Sequence, residues 1–493
     1  MNIDPALCYQ ALRTRDRRFD GRFFVAVTTT GIYCRPVCPA RTPKRGNVRF
    51  YACAAAAEEA GFRACRRCRP ETAPGTPAWE GTSTTVARAL RLISQGDFDE
   101  TNVEQLAGRV GVGGRHLRRL FMQHLGAAPI AVLRTQRLHL ARQLIDETDL
   151  PMTEIAFASG FNSIRRFNQA ILESFRDSPT DLRRKARRTG YEGGALTMRL
   201  AYRPPLAWDS LLGFLRLRAI PGVESVDGES YRRSIEVDGE PATIEVSHSV
   251  DAPYLVVRMQ LPATARLAQV IDGVRRMFDL SADPVRIAED LGADPVLKSA
   301  VRALPGLRVP GAWDPFELTV RAVLGQQISV KAATTIAGRI AQAFGKPLPM
   351  DLTNGLTHLF PRPDALRDAD LRTVGLTAAR AQTLRNVASA ACDGMLPCDA
   401  APGLESAVEA LTAIGGIGKW TAQYIAMRAF GEPDAFPEGD LGLRRAIANG
   451  GKLISNTDLL RLAERWRPWR AYAAMYLWLG AAGNIDVTRS KRT

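Results

Sequence analysis

The sequence predicts a multidomain α+β protein with four domains. Its 493 residues exceed what a single hydrophobic core organises. A Pro/Gly/Thr-rich stretch at 70–84, PETAPGTPAWEGTST, separates a cysteine-rich beginning from a helical repeat, and alternating hydrophobicity then precedes a long helical end. We expect a small α/β domain at 1–78, an all-α domain with two helix-turn-helix units at 83–188, an α+β sheet domain at 196–290 and an all-α domain at 294–485.

Composition and charge narrow the functional classes. Hydrophobic residues make up 46% of the chain and charged residues 24%, as in ordinary soluble proteins. Residues 1–190 supply most of the net charge of +15, since they hold 31 Lys and Arg against 18 Asp and Glu. This excess favours a polyanionic partner, although simple solubility is the alternative explanation. Since the sequence shows neither a signal peptide nor an apolar membrane span, we expect a cytoplasmic protein with no membrane partner.

Six of the eight cysteines lie in the first domain. The strand-like run RFFVAVTT precedes Cys34 and Cys38, and the helical run AAAAEEAGF precedes Cys65 and Cys68. The spacing C-x3-C-x26-C-x2-C supplies four soft ligands for one tetrahedral zinc ion, so we expect a zinc-bound domain. Disulfides or independent thiols are the alternatives, and a reducing compartment favours metal binding over both.

The residues around these cysteines are strongly basic, although spacing alone favours a purely structural zinc. A four-thiolate zinc centre has a net charge of about −2, and its sulfurs stay electron-rich. Nearby cations would hold an anionic backbone against them: Arg35, Arg41, Lys44, Arg45, Arg63, Arg66, Arg67 and Arg69. Such an arrangement suits attack on a soft electrophile attached to DNA.

Three stretches, DGRFFVAVTTTGIYCRPVCPAR, NVRFY and AGFRACRRCRP, closely resemble the N-terminal domain of the Ada family, metalloproteins that repair methylphosphotriesters in DNA. The resemblance covers most of residues 1–75. It implies that Cys34, Cys38, Cys65 and Cys68 bind zinc, and that Cys34 is the irreversible methyl acceptor, a choice that spacing alone cannot make. We expect Arg66 and Arg67 to contact DNA.

The second domain contains an internal repeat. LAGRVGV at 106–112 and IAFASGF at 155–161 match at an offset of 49 residues, and an arginine-bearing helix follows each. Helix, glycine turn and basic helix is the pattern of a helix-turn-helix. Two ordinary helical hairpins would explain the apolar spacing but not the paired arginines, so DNA binding is the better hypothesis.

The stretches LAGRVGVGGRHLRRLFMQHLG and PMTEIAFASGFNSIRRFNQAI resemble the AraC-type DNA-binding domain. Two such units can enter successive major grooves, roughly 34 Å apart. From helix position we expect base or phosphate contacts from Arg115, Arg118, Arg119, Ser163, Arg165 and Arg166. Arginine serves both purposes, so the sequence does not assign bases.

The third domain combines strands and helices. YRRSIEVDGEPATIEV alternates apolar and polar residues on both sides of Asp238-Gly239, which predicts a β-hairpin. WDSLLGFLRLRAI and TARLAQVIDGVRRMFD have the period of helices.

In the fourth domain, LTAIGGIGKWTAQYIAMRAF predicts two helices joined by a glycine-rich turn that brings backbone amides close to an anion. With WDPFELTVRAVLGQQISVKAA, FPEGDLGLRR and RWRPWRAYAAMYLWLG, it resembles the helix-hairpin-helix DNA glycosylases of the AlkA type. LAYRPPLAWDSLLGFLRLRAIPGVESV extends that similarity back to about residue 197. The resemblance implies that Asp440 is the catalytic carboxylate, with Gly416, Gly418 and Lys419 at the DNA.

The same resemblance has consequences for specificity. Bifunctional members carry a Schiff-base lysine where this chain has Trp420, so we expect a monofunctional enzyme. Gln327 stands where AlkA-type enzymes can carry an apolar wedge, so we expect it at the DNA. An electron-rich pocket would favour a cationic alkylated purine, and we expect Phe214, Trp420, Tyr424 and Trp478 to form it, although each could instead be a core residue.

Together these patterns predict an alkylation-response protein. We expect a single-turnover DNA methyltransferase, a transcription activator and a glycosylase that excises bases such as 3-methyladenine. The expected partners are double-stranded DNA, both alkylated DNA and promoter DNA, and RNA polymerase. We expect the protein to be a monomer. The alternative is a transcription regulator with structural zinc and a catalytically inactive glycosylase fold that clamps DNA.

Overall fold

The protein has the predicted multidomain α+β architecture, with one four-stranded and one five-stranded sheet. The structure is a computed structural model that describes residues 4–74, 84–94, 103–185, 195–262, 266–352, 355–396, 403–448 and 453–483. Among these residues no helix combines the length and the apolar character needed to cross a membrane.

The first domain has two helices and four strands: α1 (Pro5–Thr14), β1 (Phe24–Val27), β2 (Ile32–Cys34), β3 (Val48–Tyr51), α2 (Ala54–Glu59) and β4 (Arg63–Ala64). The sheet order is β3-β1-β2-β4. The last pair is parallel, with Tyr33 opposite Ala64. Since neighbouring strands lie about 4.8 Å apart, this pairing places Cys34 next to Cys65, which directly follows β4.

The second domain is helical: α3 (Thr84–Ser94), α4 (Val103–Arg109), α5 (Gly114–Leu125), α6 (Pro129–Glu147), α7 (Met152–Ala158), α8 (Ile164–Phe175) and α9 (Pro179–Lys185). The pairs α4–α5 and α7–α8 form the two predicted units. Their turns contain Gly111 at φ 79° and Gly160 at φ 84°, a left-handed conformation that glycine adopts without a Cβ clash. Since α5 begins at residue 114 and α8 at 164, the second helices repeat at an offset of 50, so the second turn is one residue longer.

The third domain is built on an antiparallel sheet, and its elements are β5 (Leu196–Ala201), α10 (Trp208–Arg216), β6 (Glu224–Asp227), β7 (Ser230–Val237), β8 (Glu240–His248), β9 (Tyr254–Gln260) and α11 (Leu267–Met277). The strand order is β5-β9-β8-β7-β6. The predicted hairpin is confirmed: Asp238 and Gly239 join β7 to β8 with φ values of 52° and 84°, as a type I′ turn requires.

The fourth domain is helical: α12 (Pro284–Gly292), α13 (Lys298–Ala303), α14 (Pro315–Leu324), α15 (Val330–Phe344), α16 (Pro363–Arg367), α17 (Ala378–Cys392), α18 (Leu404–Thr412), α19 (Lys419–Arg428), α20 (Leu441–Ala446), α21 (Asn456–Ala463) and α22 (Arg470–Ala481). One continuous hydrophobic core, which includes Leu384, Ile425 and Trp466, joins these helices. The hairpin α18–α19 is where the glycine pattern predicts it.

A buried ion network fixes the sheet domain to the helical domain. Arg233 of β7 pairs with Glu317 of α14 at 2.6 Å, and Arg321 of α14 pairs with Glu224 of β6 at 2.8 Å. Arg321 also donates a hydrogen bond to the carbonyl oxygen of Arg218, just after α10. Because each buried charge has a partner of opposite sign, the network fixes α10 against α14 without leaving an isolated charge in the core.

Polar contacts also connect the first two domains to the last two. They join Arg22 to Asp283 at 3.2 Å, Ser94 to Asp272 at 2.6 Å, and the side-chain amide of Gln143 to the carbonyl of Arg199 at 2.8 Å. A hydrophobic cluster crosses the same boundary, with Leu144 of α6 and Met198 of β5 both fully buried in it. The zinc-binding and helix-turn-helix regions are therefore packed onto the sheet domain.

Candidate functional site

The four cysteines of the C-x3-C-x26-C-x2-C pattern meet at one end of the first sheet. The Sγ atoms of Cys34, Cys38, Cys65 and Cys68 all lie within 4.8 Å of one another. Four sulfurs arranged tetrahedrally around zinc at about 2.3 Å would lie roughly 3.8 Å apart, so the cluster fits one zinc ion. Because all four donors are sulfur, the site suits zinc better than magnesium or calcium.

Cys34 differs from the other three cysteines in its exposure. Cys38, Cys65 and Cys68 are 5%, 8% and 8% exposed, whereas Cys34 is half-buried. The hydrogen bond with Cys34 lowers the pKa of Cys38 to about 7, and hydrogen bonds with the three other thiols lower the pKa of Cys65. The same hydrogen bonds raise the pKa of Cys34 and of Cys68, so the four thiols share their protons, and Cys34 is the sulfur that a ligand could approach.

Some of the neighbouring arginines are engaged by the protein itself. Arg35 donates to the carbonyl of Cys68 at 3.2 Å. Arg66 donates to the carbonyl of Phe175, at the end of α8, at 2.8 Å. Arg67 is exposed and forms no ion pair within the part of the chain that the structure describes. Both side chains are exposed, and the contacts of Arg66 and Arg67 with DNA remain predictions.

The predicted DNA contacts of the second domain face solvent. The two second helices bury matching apolar residues, Leu117 and Phe167. On the opposite side the predicted arginines are all exposed: Arg115, Arg118, Arg119, Arg165 and Arg166. Ser163 is half-buried at the N-cap of α8. The offset of 50 places exposed Asn168 and Gln169 at the positions of Arg118 and Arg119. These two positions are not evident from the sequence when only the first helices of the units are aligned.

The glycine hairpin is closely packed on one side and open on the other. A Cβ on Gly416, which has φ 98°, would lie 2.1 Å from the Thr383 hydroxyl oxygen. Gln326 donates to the Gly416 carbonyl at 3.2 Å, a contact that the sequence analysis missed. A Cβ on Gly418 would meet nothing, and Lys419 at the first turn of α19 is exposed. The backbone amides at the N-terminus of α19 can therefore donate hydrogen bonds to a phosphate.

Gln327 lies in the loop between α14 and α15. It is exposed and has φ 60°, which is uncommon for a residue other than glycine. Its neighbour Gln326 is fixed to the hairpin, so Gln327 lies close to the predicted DNA-binding turn. Its role at the DNA stays a prediction.

Asp440 is held by three hydrogen-bond donors. One carboxylate oxygen accepts from the Leu443 amide at 2.9 Å and from the Trp478 indole at 3.0 Å, and the other accepts from the Trp420 indole at 3.0 Å. Asp440 is thereby both the N-cap of α20 and a half-buried group between two indoles. These bonds fix the direction of the carboxylate while part of it stays accessible.

The four predicted pocket aromatics lie together beside Asp440. Trp420 and Tyr424 stack at 5.4 Å with an interplanar angle of 8°, and Trp478 lies 6.2 Å from Tyr424. All four rings, including Phe214, are half-buried rather than core residues. They contact the main core of the helical domain from its edge. The arrangement therefore places a fixed carboxylate beside a half-buried aromatic cluster, the predicted base pocket.

Two arginines that the sequence analysis missed lie at the Phe214 end of this pocket. The guanidinium of Arg218 lies 3.7 Å from the centre of the Phe214 ring, and that of Arg428 lies 4.8 Å from it. Each arginine follows an aromatic pocket residue by four positions, which is one helical turn. That spacing is the sequence signal that could have identified them.

The comparisons with known proteins agree with this architecture. Four family models match: the metal binding domain of Ada at 7–71, a helix-turn-helix domain at 106–185, the AlkA N-terminal domain at 197–314, and the HhH-GPD superfamily of base excision DNA repair proteins at 320–471. The third match extends beyond residue 290, where we expected the sheet domain to end. The domain limits remain predictions.

Individual relatives cover different parts of the chain. A probable bifunctional transcriptional activator/DNA repair enzyme AlkA of Mycobacterium tuberculosis is 42% identical over 97% of both chains. DNA-3-methyladenine glycosylase 2 of Escherichia coli is 33% identical over 57% of this chain and 95% of its own length. A solved 3-methyladenine DNA glycosylase from Archaeoglobus fulgidus aligns with a TM-score of 0.51 and 25% identity, covering 58% of this chain and 98% of that one.

A thiolate zinc site, paired helix-turn-helix units and a helix-hairpin-helix domain with a fixed carboxylate define a class of proteins that combine DNA repair with gene regulation. Within that class, the extent of the similarity is decisive because it spans the whole architecture. The chain belongs to the family of bifunctional transcriptional activator/DNA repair enzymes AlkA.

Proposed function

We propose that this protein repairs alkylated DNA and activates the transcriptional response to it. The observation that carries the proposal is Asp440, fixed by the indoles of Trp420 and Trp478 at the rim of an aromatic pocket. A passive DNA clamp has no use for an oriented carboxylate in such a place. The relatives named as glycosylases support the same assignment.

In the proposed glycosylase, the hairpin and Lys419 hold the DNA backbone while the damaged nucleotide enters the aromatic pocket. As the glycosidic bond breaks, positive charge builds on the deoxyribose, and Asp440 stabilises it or orients the attacking water. A cationic alkylated purine gains attraction to the faces of the aromatic rings. Trp420 occupies the position of the lyase lysine, so the reaction ends with base release.

In the proposed methyl transfer, Cys34 accepts a methyl group from a methylphosphotriester. The Cys34 sulfur attacks the methyl carbon, the S–C bond forms as the C–O bond breaks, and the phosphodiester leaves with the electron pair. Cys38, Cys65 and Cys68 would share the zinc with Cys34, and the ion would hold the sulfurs as thiolates. The exposure of Cys34 supports its choice as acceptor, since the other three are buried.

Methylation would also change how the first domain binds DNA. It turns one thiolate into a thioether and removes one negative charge beside the DNA phosphates. At an effective dielectric constant of about 20 and a separation of roughly 5 Å, one such repulsion is worth about 3 kcal/mol before salt screening. The helix-turn-helix domain would then bind promoter DNA, and RNA polymerase is the proposed further partner of a monomeric protein.

A single-turnover assay on methylated duplex DNA tests the enzymatic part. The wild type should release free 3-methyladenine, and Asp440→Asn should release it roughly 10²- to 10³-fold more slowly or not at all. Equal release by both proteins would refute the assignment of Asp440. If neither protein releases a base while promoter binding persists, the chain is the regulator with an inactive glycosylase fold.

A further inference from the structure

Helix α3 opens the helix-turn-helix domain but is covered on two opposite sides. Val86 and Ala89 are fully buried in the hydrophobic cluster that also contains residues of α4 and α5. Arg88, Arg91 and Ser94 recur every three residues on the other side of the helix and lie against the last two domains. A helix that served DNA recognition alone would leave its polar side to solvent, so this side calls for its own explanation.

Arg91 holds the C-terminal end of the second hairpin helix. Its guanidinium donates a hydrogen bond to the carbonyl oxygen of Phe430, two residues beyond the end of α19. The last carbonyl groups of a helix lack partners within the helix and carry partial negative charge, so a cation is favourable there. Because α19 carries Trp420 and Tyr424, an arginine of the helix-turn-helix domain fixes a helix of the predicted base pocket.

Arg88 adds an electrostatic attraction to the same loop. It is 6% exposed, and burial lowers its pKa while the charges of Glu432 and Glu405 oppose that fall. Burial raises the pKa of Glu432, and the charges of Arg91 and Arg88 oppose that rise. Since Glu432 follows Phe430 by two residues, both arginines of α3 attract the loop that follows α19. Removing one side of this contact would leave buried charge without compensation.

A second connection reaches α19 through α11. The Ser94 hydroxyl donates to the carboxylate of Asp272 at 2.6 Å. The carbonyl of Met277, the last residue of α11, accepts from the Gly311 amide at 2.9 Å. The Gly311 carbonyl in turn accepts from the guanidinium of Arg428, at the end of α19, at 3.1 Å. Helix α3 therefore holds the last turn of α19 both directly and through α11.

We propose that Arg88 and Arg91 are positioning residues for base release, because they hold α19 in the place where the Trp420 indole meets Asp440. The inference rests on the proposed glycosylase function and makes the helix-turn-helix domain a working part of that enzyme. The two arginines act through α19 rather than on the substrate. At the other end of this helix, Trp420 donates to the carboxylate of Asp440 at 3.0 Å.

Helix α19 also holds the loop that leads to Asp440. The side-chain oxygen of Gln423, in the middle of α19, accepts from the Phe436 amide at 3.0 Å. The helix has only ten residues, so a shift at its end reaches both contacts. A misplacement of about 1 Å can cost a reaction roughly a hundredfold in rate, and a fraction of that shift is therefore measurable.

Single-turnover release of 3-methyladenine from a saturating methylated duplex tests the inference in the full-length protein. Arg91→Gln should lower the maximal rate by about tenfold, while the affinity for an undamaged duplex stays unchanged. Arg91→Lys keeps a charged donor and should restore most of the rate. Arg134→Gln is the matched control, because Arg134 is an exposed arginine of the same domain that pairs with Glu173 of α8 at 2.9 Å.

A double-mutant cycle tests the contact between Arg88 and the loop. Glu432→Gln should also slow base release. Arg88→Gln combined with Glu432→Gln should slow it by less than the product of the two single effects, because both substitutions break one interaction. A combined effect equal to that product would mean that Arg88 does not act through this loop, and its assigned role would be wrong.

The outcomes separate this inference from the function on which it rests. If the wild type releases the base and Arg91→Gln is no slower than Arg134→Gln, the inference is wrong and the glycosylase stands. A parallel loss of rate and duplex affinity, or Arg91→Lys as slow as Arg91→Gln, would show a purely structural role and also overturn it. No release by the wild type overturns both. Should Arg91→Gln fail to fold, Glu432→Gln decides, since an unchanged rate in that variant refutes the inference.

Discussion

The thiol cluster and the base pocket are built in opposite ways. The cluster comes from residues 34–68 of one small domain, and its four ligands need only two strands and two loops to meet. The pocket draws Phe214 from the sheet domain and Trp478 from the last helix, and the ion network between β7 and α14 holds the two parts together. A local site tolerates changes elsewhere in the chain, whereas a dispersed site depends on the packing of two domains.

The largest effect is expected when the proposed methyl acceptor of the local site is removed. Cys34→Ala should abolish methyl uptake from methylphosphotriesters, because no other cluster sulfur is comparably exposed. Mass spectrometry of the protein after exposure to methylated DNA should locate one added methyl group at Cys34 in the wild type and none in the variant. Base release should persist, since the predicted pocket residues belong to α10, α19 and α22 and none comes from the first domain.

Cys392→Ala provides the control for that experiment. Cys392 is an exposed cysteine at the end of α17 and lies outside the cluster. Its loss should leave methyl uptake unchanged. Methyl transfer to Cys392 in the wild type would contradict the zinc-cluster mechanism.

The next largest effect should come from Asp440→Asn. The amide removes the negative charge that stabilises the sugar cation, and its nitrogen faces an indole donor instead of accepting from it. We expect the single-turnover rate of 3-methyladenine release to fall by roughly 10²- to 10³-fold or more. Glu438→Gln, two residues earlier, should retain the wild-type rate, and a comparable loss there would point to a general effect of charge in this loop.

Trp420→Phe should have an intermediate effect. Phenylalanine retains stacking on Tyr424 but loses the hydrogen bond to Asp440, leaving the carboxylate oriented by Trp478 and Leu443. Losing one hydrogen bond to a charged group costs about 1.5–3 kcal/mol, so base release should slow by roughly tenfold or more. DNA affinity, measured on an undamaged duplex, should stay the same; a matching loss of affinity would mean that the indole acts in binding rather than orientation.

The smallest effect should come from single arginines of the helix-turn-helix units. Arg115 and Arg165 lie at equivalent positions of α5 and α8, which begin 50 residues apart. Arg115→Gln and Arg165→Gln should therefore weaken promoter binding to a similar extent. If each contacts a phosphate, the slope of log affinity against log salt should fall by about one unit per substitution. A change in sequence preference with the slope intact would instead indicate contact with a base.

The sequence predicts features that depend on neighbouring residues better than features that depend on how domains pack. Cysteine spacing located the metal site, and Asp238-Gly239 located a hairpin, because both patterns act over short distances. The engagement of Arg66 with the Phe175 carbonyl was not predictable, since it depends on how two domains pack. Arg218 and Arg428 each follow a predicted pocket aromatic by four positions, but that spacing does not show that both guanidinium groups lie against Phe214, because this contact depends on how two domains pack.

The longer turn before α8 explains another omission. Aligning the glycines predicts an offset of 49, but the helices that would enter the grooves repeat at 50. One residue on a helix corresponds to a rotation of about 100°, so an alignment based on the turns assigns the wrong faces. Burial of Leu117 and Phe167 fixes the correct pairing, which only the structure provides.

The contact between Ser94 and Asp272 joins the helix that opens the regulatory domain to α11 beside the glycosylase core. When the helix-turn-helix domain or the helix-hairpin-helix domain binds a duplex, the other domain is held near the same DNA. Its effective concentration is then set by the link between the two domains and not by its concentration in solution. Under the proposed function, one encounter with DNA would then serve both methyl removal from the phosphate backbone and excision of damaged bases.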